Sequence, residues 1–329
     1  MRAVYITEFG ATDNLEIREI PKPPTPENTQ VLVRIRAAGL NRADLLQVRG
    51  AYPPPAGYSP NIPGLEFAGE IAAIGSGVQT WKIGDRVFGI TAGEAQAEFL
   101  LTDETLLAQI PDNLSFTDAA AVPEAFITAH DAIFTLGGLN QGETLLIHAV
   151  GSGVGLAALQ LAKTRGAIVI GTSRTSDKLE RCKEFGLDTA ISTENGVNFA
   201  VKVNEITDGK GVDGILDLVG AGYFEQNLAS LASKGRLILV GLTSGRSAEF
   251  NLGLALQKRL SIIGTMLRGR PTPEKAEATQ QFTEDVIPLL ASGKVRPNVD
   301  RVFAVNDVVS AYKYLESNES FGKVVLEFF

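Results

Sequence analysis

Apolar and polar positions follow two different rhythms along the chain. Up to about Pro123 the runs are short and alternating: Val31-Leu32-Val33-Arg34-Ile35-Arg36, Phe67 to Ile74 and Asp85 to Ile90 predict strands with one face buried. Pro23-Pro24, Gly75-Ser76-Gly77 and Ile83-Gly84-Asp85 punctuate them as turns, so this part reads as a β-rich domain. Pro53-Pro54-Pro55, with Gly57, Pro60 and Pro63 behind it, is a stiff non-helical passage that lies on a surface or lines a cleft.

From about Pro123 strands and helices alternate. Strands are predicted at Glu143 to Ala149, Ala167 to Thr172, Asp188 to Ile191, Asp213 to Val219, Arg236 to Gly241 and Arg259 to Thr265. Helices are predicted at Ser176 to Phe185, Val197 to Thr207 and Gly222 to Ala232. The pattern predicts an α/β fold, a doubly wound parallel sheet over residues 123–266. After Pro271 the helical Glu274 to Leu290 and the strand-like Val299 to Val305 and Lys323 to Phe328 return to the first domain, which then comprises residues 1–122 and 267–329.

The stretch Glu143 to Lys163, ETLLIHAVGSGVGLAALQLAK, organises the rest: a buried strand, a glycine-rich turn and a helix with no residues between them. Gly151, Gly153 and Gly155 sit at the turn, where glycine permits positive φ and close approach of a pyrophosphate. The N–H groups and positive end of the following helix favour that charge. The fingerprint departs from G-x-G-x-x-G, with Val150 and Ser152 in the first two places. In doubly wound sheets ligands bind at the carboxyl ends of the strands, so Gly151, Ser152, Gly153, Val154, Gly155, Ser173, Arg174, Val219, Gly220, Gly241, Leu242 and Thr243 are expected to touch a dinucleotide.

Composition narrows the classes without choosing among them. The formal charge of −8 argues against a phosphate-tracking nucleic-acid surface or a polybasic membrane patch. Cys182 is the single cysteine, at helical spacing with Leu179 and Phe185, which fits core packing; a thiolate-rich zinc site is impossible. No apolar run reaches the roughly 18 residues of a membrane span, and MRAVYITEFG lacks a signal-peptide core, so a cytoplasmic protein is expected.

The end of the second strand decides between cofactors. NAD sites usually carry Asp or Glu there for the ribose 2′-hydroxyl, whereas this chain has Thr172-Ser173-Arg174-Thr175. The hydroxyls and the Arg174 guanidinium suit a 2′-phosphate, with Lys178 one turn further on, and NADPH is the expected cofactor. The competing reading makes Arg174 and Lys178 surface charges and Asp177 the ribose acid; Asp177 is read here as a helix N-cap boxed with Glu180.

Ile147-His148-Ala149, Ser152-Gly153-Val154-Gly155 and Gln160-Leu161-Ala162-Lys163 together resemble the quinone oxidoreductase branch of the medium-chain dehydrogenase/reductase superfamily. Ala38-Gly39-Leu40-Asn41-Arg42-Ala43-Asp44, Pro63-Gly64-Leu65-Glu66, Trp81 to Val87, Pro123-Glu124-Ala125 and Gly322 to Leu326 extend the likeness over nearly the whole chain. The arrangement is most similar to the tumour-suppressor-inducible type, with zeta-crystallin as a more distant relative. The resemblance implies a GroES-like catalytic domain beside the cofactor domain. It departs at Thr193, where several relatives carry a cofactor-contacting Tyr. Zinc-dependent members carry Cys and His where this chain has Asn41 and Leu65, and neither an amide nor an alkyl chain supplies those ligands. An all-oxygen cation site from Asn41, Asp44 and Glu66 competes with Asn41 simply capping the helix Arg42 to Arg49. His130 and His148 sit among apolar neighbours and read as satisfied core histidines.

A hydride donor unassisted by a Lewis acid requires an acceptor already poor in electrons, so quinones and activated enones are the expected substrates. By resemblance Asn41 and Tyr52 border the nicotinamide, as catalytic donors or, for Tyr52, as an aromatic packed on the proline turn. Thr128 is expected to approach the cofactor or to be an ordinary helix threonine, and Arg268 to pair with phosphate or lie on the surface. The alternative class is a dinucleotide-binding structural or regulatory protein of crystallin-like or RNA-binding kind. A homodimer is expected through the edge strand Arg259 to Thr265.

Overall fold

The computed structural model describes residues 1–328. The chain divides into two compact units, Met1–Ile127 with Leu267–Phe329 and Thr128–Met266. The division falls inside the helix Pro123–His130, which runs on as a π-helix, Asp131–Leu136.

The second unit is a six-stranded parallel sheet. In chain order its strands are Thr144–Ile147, Ile168–Ser173, Thr189–Ser192, Val212–Asp217, Leu231–Leu239 and Ser261–Gly264, and across the sheet they lie third, second, first, fourth, fifth, sixth. The order reverses between the first and fourth strands, which makes that boundary the switch point at which such sheets bind ligands. Leu145, Leu146 and Ile147 are at most 1% exposed, as a strand covered on both faces requires. Leu146, Ile170, Ile215 and Leu237 pack on Phe199 and Val203 of the helix Phe199–Ile206 and on Leu228.

Three local expectations need correction. The helix expected to Ala232 ends at Ser230, because the chain enters the fifth strand at Leu231. Asp177 is not an N-cap: it lies in the first turn of the helix Ser176–Cys182, whose N-cap is Thr175, two residues earlier. The left-handed residue of the nucleotide turn is Ala149, φ 48°, rather than a glycine. Gly155 is needed for space, since a Cβ there would lie 2.6 Å from the Ala149 carbonyl and 2.7 Å from that of Val150.

The first unit is built on a mixed sheet around the long strand Gln30–Leu40, which pairs antiparallel with Glu66–Ile74, Phe99–Asp103 and the C-terminal strand Lys323–Glu327. The C-terminal segment thus completes the sheet begun near the N-terminus. The helix Val308–Glu316, which periodicity did not single out, buries Val308, Ala311, Tyr312 and Leu315 against the same core.

Candidate functional site

In the second unit the predicted dinucleotide residues gather at the carboxyl ends of the strands. The helix Gly153–Thr164 starts at the end of the first strand, and Ser152 is its N-cap, its hydroxyl accepting from the Gly155 N–H at 3.1 Å. First-turn N–H groups have no intrahelical acceptor, so Gly153 and Val154 sit at a helix end suited to an anion. Gly151 and Gly155 are buried in the turn.

At the end of the second strand Ser173 is half-buried, Arg174 is exposed and Lys178 half-buried on the next helix. Thr172 differs from expectation: its hydroxyl is buried against His148 and is not available to a ligand. After the fourth and fifth strands, the loops holding Val219, Gly220, Gly241, Leu242 and Thr243 are tied together, Ser244 Oγ donating to the Val219 carbonyl at 2.9 Å and accepting from Gly222 N–H at 2.8 Å. Gly220 has φ 93°, and a Cβ on it would fall 2.9 Å from Leu242 Cα, so both conformation and packing demand glycine there.

Beneath these loops runs a buried polar chain. Asp217 accepts from the Val219 and Gly220 N–H groups at 2.7 and 2.9 Å, and from Asn227 Nδ2 at 3.0 Å. Asn227 Oδ1 faces His148 Nε2 at 2.6 Å, and His148 Nδ1 faces Thr172 Oγ1 at 2.8 Å. Because the Asn227 nitrogen is committed to a carboxylate, its oxygen must accept, so His148 carries its proton on Nε2 and Thr172 donates to Nδ1. Burial holds the imidazole neutral, with its pKa pushed down to about 4, and raises that of Asp217 to about 6. Thr193 accepts from the Tyr223 hydroxyl at 2.8 Å, and Tyr223 packs edge-on against His148.

In the first unit Asn41 is held at every polar atom of the segment. Its backbone N–H donates to Asp44 Oδ2 at 2.8 Å at the start of the helix Arg42–Val48, its Nδ2 donates to Glu66 Oε1 at 2.9 Å, and its Oδ1 accepts from Lys323 at 2.6 Å. Asp44 also accepts from Gly64 N–H, at 3.1 Å. Glu66 Oε2 receives the Glu124 N–H at 2.9 Å at the start of the helix Pro123–His130. A Cβ on Gly39 would lie 2.4 Å from Glu66 Oε1 and 2.6 Å from the Ala120 carbonyl, so this glycine makes room for the carboxylate. Desolvation raises the Asp44 carboxyl to about 6 and, helped by the neighbouring Glu66 charge, the Glu124 carboxyl to about 8.

Arg268 corrects its expectation. It is 4% exposed and spends its guanidinium within the first unit, on the Ala92 carbonyl at 2.8 Å, the Tyr52 carbonyl at 2.9 Å and Gln47 Oε1 at 2.5 Å, with its face over the Tyr52 ring. Three of its five N–H donors are thus taken by protein acceptors, and the reading of Arg268 as a surface charge is the one that fails. Tyr52 is half-buried on this cation, and burial raises its hydroxyl pKa. Thr128 is half-buried on its helix. Cys182 is fully buried, its thiol pushed up to about 12.

Sequence comparison decides the family. A quinone oxidoreductase of Pseudomonas aeruginosa is 33% identical over 99% of both chains. The chain belongs to the medium-chain dehydrogenase/reductase superfamily, in its quinone oxidoreductase branch. The GroES-like alcohol dehydrogenase profile matches residues 27–131 and the zinc-binding dehydrogenase profile residues 153–290. Among solved structures, Escherichia coli quinone oxidoreductase complexed with NADPH superposes with a TM-score of 0.90 at 29% identity, covering 100% of each chain. The JamJ enoyl reductase, in its apo form, gives 0.87 at 27% identity over 99% of this chain and 98% of its own. The α/β architecture with a parallel sheet and a GroES-like unit agrees with these relatives, and the protein is an oxidoreductase of that superfamily.

Proposed function

We propose that the protein reduces quinones or similarly activated enones with NADPH. The observation that carries this reading is the end of the second strand, where Ser173, Arg174 and Lys178 stand in place of an acid, beneath a serine-capped helix start at the switch point. The NADPH-bound E. coli relative supports the same cofactor. Its nicotinamide supplies a hydride. Gly153 and Val154 would meet the pyrophosphate through N–H groups, and Arg174 with Lys178 would neutralise the 2′-phosphate.

Asn41 and Tyr52 would offer an N–H and an O–H to the oxygen on which charge develops. The residues in the zinc-ligand places, Asn41 and Leu65, do not fit a Cys/His metal site: the amide is already bonded to Glu66 and Lys323, and an alkyl chain has no donor atom. The acceptor must therefore be intrinsically electron-poor. Among the described residues no helix is long and apolar enough to cross a membrane. A homodimer joined along Ser261–Gly264 fits the position of that strand at the sheet edge, with Leu256 and Met266 exposed beside it.

The test is NADPH oxidation by the purified protein against matched quinones and α,β-unsaturated ketones, with product analysis. Turnover of the quinones supports a quinone reductase, and turnover confined to the enones narrows the reading to a carbon–carbon double-bond reductase. Tight NADPH binding with no oxidation by any acceptor would overturn the catalytic reading in favour of a structural or regulatory one.

A further inference from the structure

Lys323 belongs to no nucleotide-binding motif, yet the sheet register delivers it to Asn41: Val324 pairs with Leu40, so the preceding lysine meets the residue that follows that strand. The side chain is buried, and its ammonium reaches the Leu40 carbonyl at 2.8 Å, Asn41 Oδ1 at 2.6 Å and Glu66 Oε1 at 2.5 Å. An ammonium donates three hydrogen bonds and accepts none, so the Asn41 atom it meets is the oxygen and the Asn41 nitrogen lies on the Glu66 side. Flipping the amide would set NH2 against an ammonium and a carbonyl against a carboxylate, replacing two attractive contacts by two repulsive ones in a buried setting.

We propose that Lys323 is a positioning residue, which locks the Asn41 side-chain amide in a single orientation so that its second N–H, and not its carbonyl, is the group presented to the acceptor. The rest of the frame is equally rigid: Asp44 fixes the Asn41 backbone N–H, and Glu66 is anchored by the Glu124 N–H at 2.9 Å. This role rests on the reading that Asn41 serves the acceptor. A donor held in advance costs no reorganisation when charge develops on the substrate.

Two double variants separate positioning from bulk stability, because neutralising both partners leaves no unpaired buried charge. Glu66→Gln/Lys323→Met removes the donor to Asn41 Oδ1, and Glu66→Gln/Lys323→Gln keeps an N–H there. The expected result is NADPH affinity within about threefold of wild type in both, kcat down roughly tenfold or more in the Met variant with a larger primary isotope effect from deuterated NADPH, and partial recovery in the Gln variant. The Asn41 side-chain amide resonances, assigned by their loss in Asn41→Ala, should shift in the Met variant. Equal kcat in the two variants with unchanged amide resonances would overturn the proposal, as would failure of both to fold, which would make the cluster a stability element only. If wild type oxidises no NADPH, the functional reading fails while the amide resonances still decide the locking.

Discussion

Each unit buries a carboxylate beside a glycine, but the two solve the resulting electrostatic problem differently. In the second unit Asp217 is met by two backbone N–H groups and the Asn227 amide, and the chain ends in a neutral imidazole and a hydroxyl, with no cation. In the first unit Glu66 is met by a full ammonium, together with an amide and a backbone N–H. The cation-free chain holds the shape of loops, since its terminal bonds are to the turn after the fourth strand. The charged hub fixes the direction of one amide, because an ammonium tolerates only acceptors. Shape and direction are different products of the same chemistry.

The sharpest way to break the comparison is Lys323→Met alone. Glu66, fully buried, is then left without its cation, and a loss of about 3–5 kcal/mol in denaturant unfolding is expected. No comparable single loss of charge is available in the second unit.

The pH response gives the next largest effect. His148 has its folded pKa depressed from 6.5 to about 4, so the folded state resists a proton that the unfolded chain accepts, and stability falls as pH drops from about 6.5 to 4, by about 3 kcal/mol if nothing opposes it. Asp217 opposes it. Its raised pKa, about 6, means that the penalty of its buried charge is relieved as pH falls through 6 toward 3.8. The two nearly cancel in wild type. His148→Gln, whose amide can still donate to Asn227 and accept from Thr172, removes only the destabilising half, so the variant should gain on wild type as pH falls below 6.5 while matching it within about 1 kcal/mol at pH 7. In the first unit the raised Glu124 carboxyl, about 8, acts in the Asp217 direction over a higher range, its penalty growing as pH rises from 4.5 to about 8 and levelling off above. Glu124→Gln should flatten the stability curve between pH 4.5 and about 8.

Much of the fold was legible because its signals are local. Leu145, Leu146 and Ile147 read as an unbroken apolar run, the strand–turn–helix at Glu143 to Lys163 has no spare residues, and the C-terminal strand carries the apolar run Val324-Val325-Leu326. The helix Val308–Glu316 was less visible, since it is short and its buried positions interrupt polar ones. The places of the residues expected at the carboxyl ends of the strands were also legible, being defined by position relative to strands. The Lys323 hub was not: the partners Asn41, Glu66 and Lys323 are brought together only by sheet register, and nothing local marks a lysine after Gly322 as buried. Arg268 was misplaced for the same reason, because its acceptors on Gln47, Tyr52 and Ala92 lie far back in the chain. Thr172 lost its expected role to His148, a contact between neighbouring strand ends.

Smaller changes sharpen the contrast. Gly39→Ala sets a Cβ against Glu66 and Gly220→Ala sets one against Leu242 Cα at φ 93°, each costing about 1–3 kcal/mol in unfolding. The functional signatures should differ: Gly220→Ala should raise the KM for NADPH, and Gly39→Ala should lower kcat. Arg174→Asp touches neither network, so it should leave stability within about 0.5 kcal/mol and shift the NADPH to NADH preference by tenfold or more, as measured by the ratio of kcat/KM values.

The central claim is that NADPH delivers its hydride to an acceptor already poor in electrons. Its most direct measurement sets the initial rate of NADPH oxidation by a para-quinone beside the rate of NADP⁺ reduction by simple primary and secondary alcohols, with the same purified protein. The account predicts quinone-dependent NADPH oxidation and no alcohol-dependent NADP⁺ reduction above background; alcohol oxidation outpacing quinone reduction would contradict it.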